Sequence, residues 1–278
     1  MYLYCLREPA DCASAGTCSA PGVIKAPAIN GGRVFCRLFD GIEAVAGEVD
    51  GDFLDEMRGK AGEDVSWIKE KALAHELVVE EAMGLSGPGQ DKTIPVIPVK
   101  FGVLFNSADR LAEVLRREEK AIKAVFNRIR GRQEWGVKLF LGDKRTFAER
   151  IRMESEDLSA KHKALAALPA GRAYFMEEEF NEELERACSR RLDEEALKIF
   201  GQLASLAEEA APAKILDGKL TGRNERMVLN AAFLVSLGRL GRFKDAVADL
   251  GAQLLPEGFL VERGGPWPAY HFTEFAYA

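Results

Sequence analysis

The amino-acid sequence predicts an α+β protein with two domains, and three observations support this. The chain has 278 residues, more than the roughly 100–200 residues of a typical domain. Segments that alternate apolar and polar residues are interleaved with segments whose apolar residues recur at helical spacing. A helical pattern that ends at Gly131 is followed at once by a new alternating segment. We therefore expect a small mixed α+β domain over residues 1–132 and a second domain over residues 133–278.

The first domain is predicted to contain a small sheet and two helices. A segment rich in Ala, Gly, Ser and Pro over residues 8–32 indicates a long loop after the first strand. One helix, with His75 on its apolar stripe, is expected over Ser66–Met83, and another, capped by Asn106 or Ser107, is expected to run to Gly131. The strand patterns cover Met1–Leu6, Arg33–Phe39 and Gly41–Val49.

A further β-rich segment over residues 93–105 contains two prolines. Because proline lacks the backbone N–H that a sheet ladder requires, part of this segment must lie at a sheet edge or at a bend. Alternation along a strand would place Val99, Phe101 and Val103 on one face, with Lys100 opposite them and directed to solvent.

The second domain is predicted to be ferredoxin-like, with a long helical insertion. Its pattern has the order β-α-α-β-β-α-β, in which the apolar stripe of the second helix in the first crossover spans about 35 residues, or roughly 50 Å. The predicted strands are Glu134–Leu141, Ala213–Leu220, Met227–Leu237 and Gly258–Arg263. The predicted helices are Arg145–Leu168, a long helix from Gly171 to Pro212, and Arg242–Leu255.

Composition and charge narrow the class of partner. A net charge of −6 and a pI near 5.4 argue against nucleic acid, whose binders need a basic surface. No apolar run reaches the ~18 residues that a membrane span requires, and no signal peptide is visible, so we expect a cytoplasmic protein without membrane contact. The five cysteines indicate reduced thiols, with a regulatory Cys12–Cys18 disulfide as the alternative.

The sequence contains no complete motif for catalysis, a cofactor or a metal. Residues 84–89 are glycine-rich but lack the strand-to-helix context of a phosphate loop. His75-Glu76 opens like a zinc-protease helix, yet Val79 occupies the position of the second ligand. The acidic run over residues 177–185 is typical of a solvated helix face. We expect a protein that is not an enzyme and has no cofactor; the alternatives are an enzyme with a cryptic carboxylate site and a ligand-sensing ferredoxin-like module.

Several segments, in matching order over nearly the whole chain, resemble the GvpF/GvpL family of gas vesicle proteins. The two most specific are the Pro-Val-x-Pro-Val-x-Phe-Gly run at 95–102 and the Gly-Pro-Trp-Pro-x-Tyr ending at 265–270. The others are Tyr2-Leu3-Tyr4, His75-Glu76-Leu77-Val78-Val79-Glu80, Glu134-Trp135-Gly136-Val137-Lys138-Leu139 and Leu229-Asn230-Ala231-Ala232-Phe233-Leu234-Val235.

The resemblance implies an accessory protein of gas vesicle formation, cytoplasmic and vesicle-associated, that is not an enzyme. It implies as partners the small hydrophobic shell protein and other gas vesicle accessory proteins. It also implies an N-terminal α+β domain and a ferredoxin-like C-terminal domain. A shell subunit with a large apolar face aggregates unless another protein covers that face, so such a binder needs surface and no catalytic residues.

The expected binding surface is the rim formed by residues 95–105 and the helix over Ser66–Met83. Strand addition or an exposed apolar groove could hold the partner there, and a purely structural sheet edge is the alternative. The aromatic residues Phe101, Phe105, Trp135 and Trp267 are interpreted first as core residues. The candidate partner-binding residues are Lys92, Val99, Lys100, Phe101 and Val103.

Overall fold

The protein, described by a computed structural model, is divided into two compact units. The residues that the structure describes are 1–9, 24–60, 64–84, 93–216, 218 and 222–273. Unit 1 comprises Met1–Gln133 together with the segment from Trp267 onward, and unit 2 comprises Glu134–Pro266. The segment from Trp267, which the sequence pattern assigned to the second domain, therefore belongs to unit 1.

Unit 1 is built on a four-stranded sheet with the order β2-β3-β1-β4. The pairs β2/β3, β3/β1 and β1/β4 are all antiparallel. The proline-containing segment supplies β4, which lies at the edge of the sheet as predicted, since its prolines have no N–H to donate. The strands are β1 (Tyr2–Arg7), β2 (Val34–Phe39), β3 (Ile42–Gly47) and β4 (Val96–Pro98).

Helices cover both faces of this sheet. Phe53, Trp67 and Val78 from α1 and α2 pack with Tyr2 and Tyr4 on one face. On the other face, the α3 and α4 stripe packs with apolar residues of β1, β3 and β4. Every residue of β1 and β3 is consequently buried, which explains why these strands have little polar alternation. The helices are α1 (Gly51–Lys60), α2 (Val65–Ala82), α3 (Ala108–Arg117) and α4 (Glu119–Ile129).

Two helical features of unit 1 differ from the sequence prediction. Helix α1 was missed, although the side chain of Asp50 accepts a hydrogen bond from the backbone N–H of Phe53, as an N-cap does. The helix predicted from residue 107 to Gly131 is broken at Glu118, whose ψ of 8° departs from helical geometry. The buried stripe continues through the break, so periodicity alone could not reveal it.

Unit 2 contains a second four-stranded sheet, with the order β6-β7-β5-β8. Alternate residues of β5 (Trp135, Val137, Leu139 and Leu141) lie in a core with α7 and the last helix, as their spacing predicted. The strands are β5 (Arg132–Leu141), β6 (Glu209–Pro212), β7 (Arg226–Ser236) and β8 (Phe259–Trp267). The helices are α5 (Lys144–Glu154), α6 (Glu156–Ala166), α7 (Ala170–Ala204) and α8 (Leu240–Leu254).

Two predictions for unit 2 were wrong. The helix expected over Arg145–Leu168 is divided at Ser155, whose extended backbone and side-chain acceptor start α6. The strand expected over Ala213–Leu220 lies upstream as β6, because α7 ends at Ala204 and the next residues pair with β7. In sequence, Pro212 resembles a helix stop, but it is the last residue of an edge strand, where its missing N–H is tolerated.

Candidate functional site

A buried hydrogen-bond network surrounds His75 in unit 1. Helix α2 places His75, 3% exposed, against β1 and the chain that follows β4. Its Nδ1 lies 2.9 Å from the hydroxyl of Tyr2, and its Nε2 lies 3.0 Å from the carbonyl oxygen of Val99. The Tyr2 hydroxyl in turn accepts a hydrogen bond of 3.0 Å from the backbone N–H of Gly102. One histidine and one tyrosine thus hold both ends of the segment 99–102.

The chemistry of these groups fixes the protonation of His75. A carbonyl oxygen can only accept, so Nε2 carries the hydrogen that is donated to Val99. Nδ1 is then free to accept a hydrogen bond from the Tyr2 hydroxyl, so each polar atom of this hydrogen-bond network has a partner. Burial lowers the pKa of His75 to about 4, and burial also raises the pKa of Tyr2. The network is neutral, which suits a structural role better than proton transfer at neutral pH.

The segment held by this network is irregular. The backbone N–H of Val99 still bonds to the Tyr4 carbonyl oxygen at 2.9 Å, as an extension of β4 would. Gly102 then adopts a φ of +93°, a left-handed conformation that favours glycine. The chain returns to β1 at Val103, whose carbonyl oxygen accepts from the N–H of Leu3 at 3.1 Å. Residues 100–102 therefore bulge from the sheet edge.

Residues from separate segments that resemble the GvpF/GvpL family meet in this region. Tyr2, His75 and Gly102 come from three different segments of the sequence. From a fourth segment, the Tyr270 hydroxyl donates a hydrogen bond of 2.8 Å to Glu76 on α2, next to His75. The motifs that are scattered along the chain thus build one local structure in unit 1.

In unit 2, the Gly-Pro-Trp motif has a separate packing role. Gly265 has a φ of +128°, and a Cβ added there would lie 3.0 Å from the carbonyl oxygen of Glu134. The same Cβ would lie 3.2 Å from the Trp135 ring, so only glycine allows this close approach. This pairs the glycine of one resemblance motif with the tryptophan of another.

The candidate binding residues do not share one face, contrary to the alternation argument. Val99 and Val103 pack toward α3 and α4, whereas Phe101 packs on the opposite side with Tyr2 and His75. The bulge over residues 100–102 interrupts the alternation that a regular strand would have kept. Val99 is fully buried, while Lys100 is exposed as expected. Lys92 lies outside the described residues.

Sequence reasoning missed the exposed leucines of α2. Leu73 and Leu77 are 62% and 48% exposed, one helical turn apart, on the side away from the buried stripe. Just after the bulge, Leu104 is 37% exposed. The sequence did contain a signal for this pair, since two leucines at i and i+4 lie outside the apolar stripe that faces the core. Exposed apolar side chains that adjoin one another on a helix can form part of a contact surface.

Outside this network, the metal-ligating side chains of the described residues are scattered, and burial affects the described thiols. Among the residues that the structure describes, no three His, Cys, Asp or Glu side chains are grouped as metal ligands. Burial raises the pKa of the Cys5, Cys36 and Cys188 thiols, which lowers their reactivity. Cys12 and Cys18, the alternative disulfide, lie outside the described residues. No helix in the described part of the chain has the length and apolar character of a membrane span.

Comparison with known proteins identifies the family. The model of the family "Gas vesicle synthesis protein GvpL/GvpF" matches residues 1–274. Gas vesicle protein L of a Streptomyces species is 26% identical over 234 residues, which cover 84% of this chain and 80% of that protein. Gas vesicle protein F1 of Halobacterium salinarum is 23% identical over 201 residues, covering 72% of this chain and 68% of that protein.

Two crystal structures have the same fold. The gas vesicle protein GvpF from Anabaena sp. PCC7120 matches with a TM-score of 0.70 at 19% identity, covering 99% of this chain and 98% of that one. GvpF from Microcystis aeruginosa matches with a TM-score of 0.63 at 17% identity and the same coverage. With the family match over almost all of its length, the chain belongs to the GvpL/GvpF family of gas vesicle synthesis proteins.

Proposed function

We propose that this protein serves gas vesicle formation in the cytoplasm by binding the small hydrophobic shell protein and limiting its aggregation. Family membership supports the role in gas vesicle formation. The observation that carries the binding proposal is the exposed pair Leu73 and Leu77 on α2, within the resemblance segment that also supplies His75. An apolar partner that would otherwise aggregate can cover such a pair.

The proposed surface has an apolar part and a charged part. The outer face of α2 supplies Leu73 and Leu77, and the segment 100–104 supplies exposed Lys100 and Leu104. Lys92 stays a candidate on the grounds of charge alone. Val99, Phe101 and Val103 support this surface from inside, because their side chains pack into the two cores of unit 1. A helix with one apolar face would fit the α2 pair in the way that amphipathic helices bind apolar grooves.

A pull-down with purified shell protein tests the proposal. Leu73→Gln with Leu77→Gln keeps good helix formers while removing the apolar pair, so the fold should survive and binding should fall about tenfold or more. Leu197→Gln is the matched control, since Leu197 is 72% exposed on α7 in unit 2. Lys100→Glu, alone and with Lys92→Glu, tests the charged part. Unchanged binding by all of these folded variants would show that the α2 and 95–105 surface is not the binding site.

For unit 2 we propose a ferredoxin-like architecture with an elongated first crossover. The support is the strand order β6-β7-β5-β8, in which the first and third strands of the unit are central. With the element order β5-α5-α6-α7-β6-β7-α8-β8, this is the arrangement of a split β-α-β motif. Helices α5, α6 and α7 together form the long crossover. An experimental structure of unit 2 with another strand order would contradict this assignment.

A further inference from the structure

An exposed aromatic pair lies on the outer side of α7 in unit 2. Tyr174 is 67% exposed and Phe175 is 74% exposed. Their rings meet edge to face, with centroids 5.6 Å apart at an interplanar angle of 84°. The neighbouring Met176 is 49% exposed. Large aromatic side chains are enriched at protein interfaces, where they contribute most of the binding energy, and are seldom left in solvent together.

Three carboxylates follow this aromatic pair on the same face of the helix. Glu178 and Glu179 follow Phe175 at three and four residues, and Glu182 lies a further turn along. All three side chains are exposed. Glu182 pairs with Arg186 at 3.4 Å, but within the described ranges Glu178 and Glu179 have no ion-pair partner. The face therefore combines an apolar centre with uncompensated negative charge.

The acidic pattern does not stabilise the helix by itself. Glu178 and Glu182 are like charges at i and i+4, a spacing that destabilises an isolated helix. The helix dipole favours acidic residues only in the first turn, whereas α7 begins at Ala170, more than two turns before Glu178. A basic partner would remove this repulsion.

We propose that the face formed by Tyr174, Phe175, Glu178, Glu179 and Glu182 binds a basic amphipathic helix of a protein partner. Apolar side chains of that helix cover the two aromatic rings, and its Lys or Arg side chains lie on the carboxylates. The negative charge disfavours the two polyanionic surfaces, nucleic acid and anionic membrane. This surface belongs to unit 2 and is independent of the proposed shell-protein surface in unit 1, so either can fail without the other.

The test uses the full chain and a labelled synthetic peptide that presents leucines on one helical face and lysines on the other. Fluorescence anisotropy at low and high salt gives the affinity. We expect Tyr174→Ala with Phe175→Ala to weaken binding about tenfold or more, because truncated interface aromatics have effects of this size. Glu178→Gln with Glu182→Gln should weaken binding and reduce its salt dependence, since fewer charges interact. Leu197→Ala, on the same helix, is the matched control and should bind like wild type.

Three results would overturn the proposal. The first is equal binding of a scrambled peptide with the same composition, which would show attraction by charge alone. The second is wild-type affinity of both double variants. If the aromatic variant unfolds, wild-type affinity of the charge variant alone overturns the proposal, because that variant removes no apolar contact. The third is evidence that something other than a basic helix covers this face. That evidence would be self-association of the wild type, or its binding to phosphatidylserine vesicles, that is lost when Tyr174 and Phe175 are substituted.

Discussion

His75 shows how a single buried side chain can shape a surface segment. Its two ring nitrogens contact Tyr2 on β1 and Val99 at the sheet edge, and Tyr2 completes the link to Gly102. Without these contacts, the carbonyl oxygen of Val99 and the backbone N–H of Gly102 would lose these hydrogen-bond partners. The position of exposed Lys100, which we propose for binding, therefore depends on a buried hydrogen-bond network.

The low pKa of His75 makes stability depend on pH. In the folded protein His75 stays neutral down to about pH 4, whereas an unfolded chain takes up the proton near pH 6.5. The unfolded state thus binds more protons between these values, and the free energy of unfolding falls as pH falls through this window. From about pH 7.5 to about pH 5, the wild type should lose roughly 2 kcal/mol relative to His75→Gln. Urea unfolding of both proteins measures this; parallel pH dependences would contradict it.

Gly102 permits a second test of the bulge. Gly102→Ala introduces a side chain at a φ of +93°, with its Cβ 3.0 Å from the Met57 side chain. We expect a loss of about 1–2 kcal/mol in unfolding free energy, since L-residues disfavour left-handed backbone. Gly59→Ala is the matched control: beyond the adjacent helix backbone, no atom of the described residues lies within 4 Å of a Cβ added there. It should be neutral or stabilising, because alanine favours the helix. Equal effects of the two substitutions would exclude a strained bulge.

Helix α2 has a role on each of its sides. Its inner face carries Trp67, His75, Val78 and other buried residues, and its outer face carries the leucines that we propose for binding. The inner stripe was predictable because burial imposes a helical period on the sequence. The outer pair was not recognised, since two apolar residues beyond the core stripe resemble ordinary surface variation until exposure is known.

The division between α5 and α6 tests local capping. Ser155 has an extended backbone, and its hydroxyl accepts a hydrogen bond of 3.3 Å from the N–H of Leu158. Ser155→Ala removes this acceptor and should lower the unfolding free energy by about 1 kcal/mol. Thermal or urea unfolding of the full chain measures the change. Ser159→Ala, inside α6, is the control and should have little effect or stabilise the helix, given the higher propensity of alanine.

The buried faces of β5 and β7 were predictable, because apolar residues that alternate along a strand indicate the side that packs into the core. The contacts that define the candidate site were not. Tyr2 and His75 are 73 residues apart, and Glu76 and Tyr270 are 194 residues apart, so no local pattern indicates that they meet. The resemblance motifs marked these residues, but only the fold shows that His75 bonds to the backbone of the bulge.

The assignment of the segment from Trp267 leads to a test of unit 2. A fragment of residues 134–266 contains all of the unit 2 core, including the β5, β7, α7 and α8 residues. It should fold alone, with cooperative urea unfolding, because its apolar contacts lie within the fragment. A fragment of residues 134–278 should gain no stability from its extra residues. Circular dichroism showing an unfolded 134–266 fragment would mean that the unit 2 core depends on the rest of the chain.

The most direct test of the proposed function is the aggregation of purified gas vesicle shell protein on dilution from denaturant, followed by light scattering. The wild-type protein at equimolar concentration should reduce the scattering, and Leu197→Gln should act equally well. Leu73→Gln with Leu77→Gln should protect less, because the apolar pair on α2 is removed. Scattering that is unchanged by folded wild-type protein, over a range of concentrations, would contradict the proposal that this chain binds the shell protein and limits its aggregation.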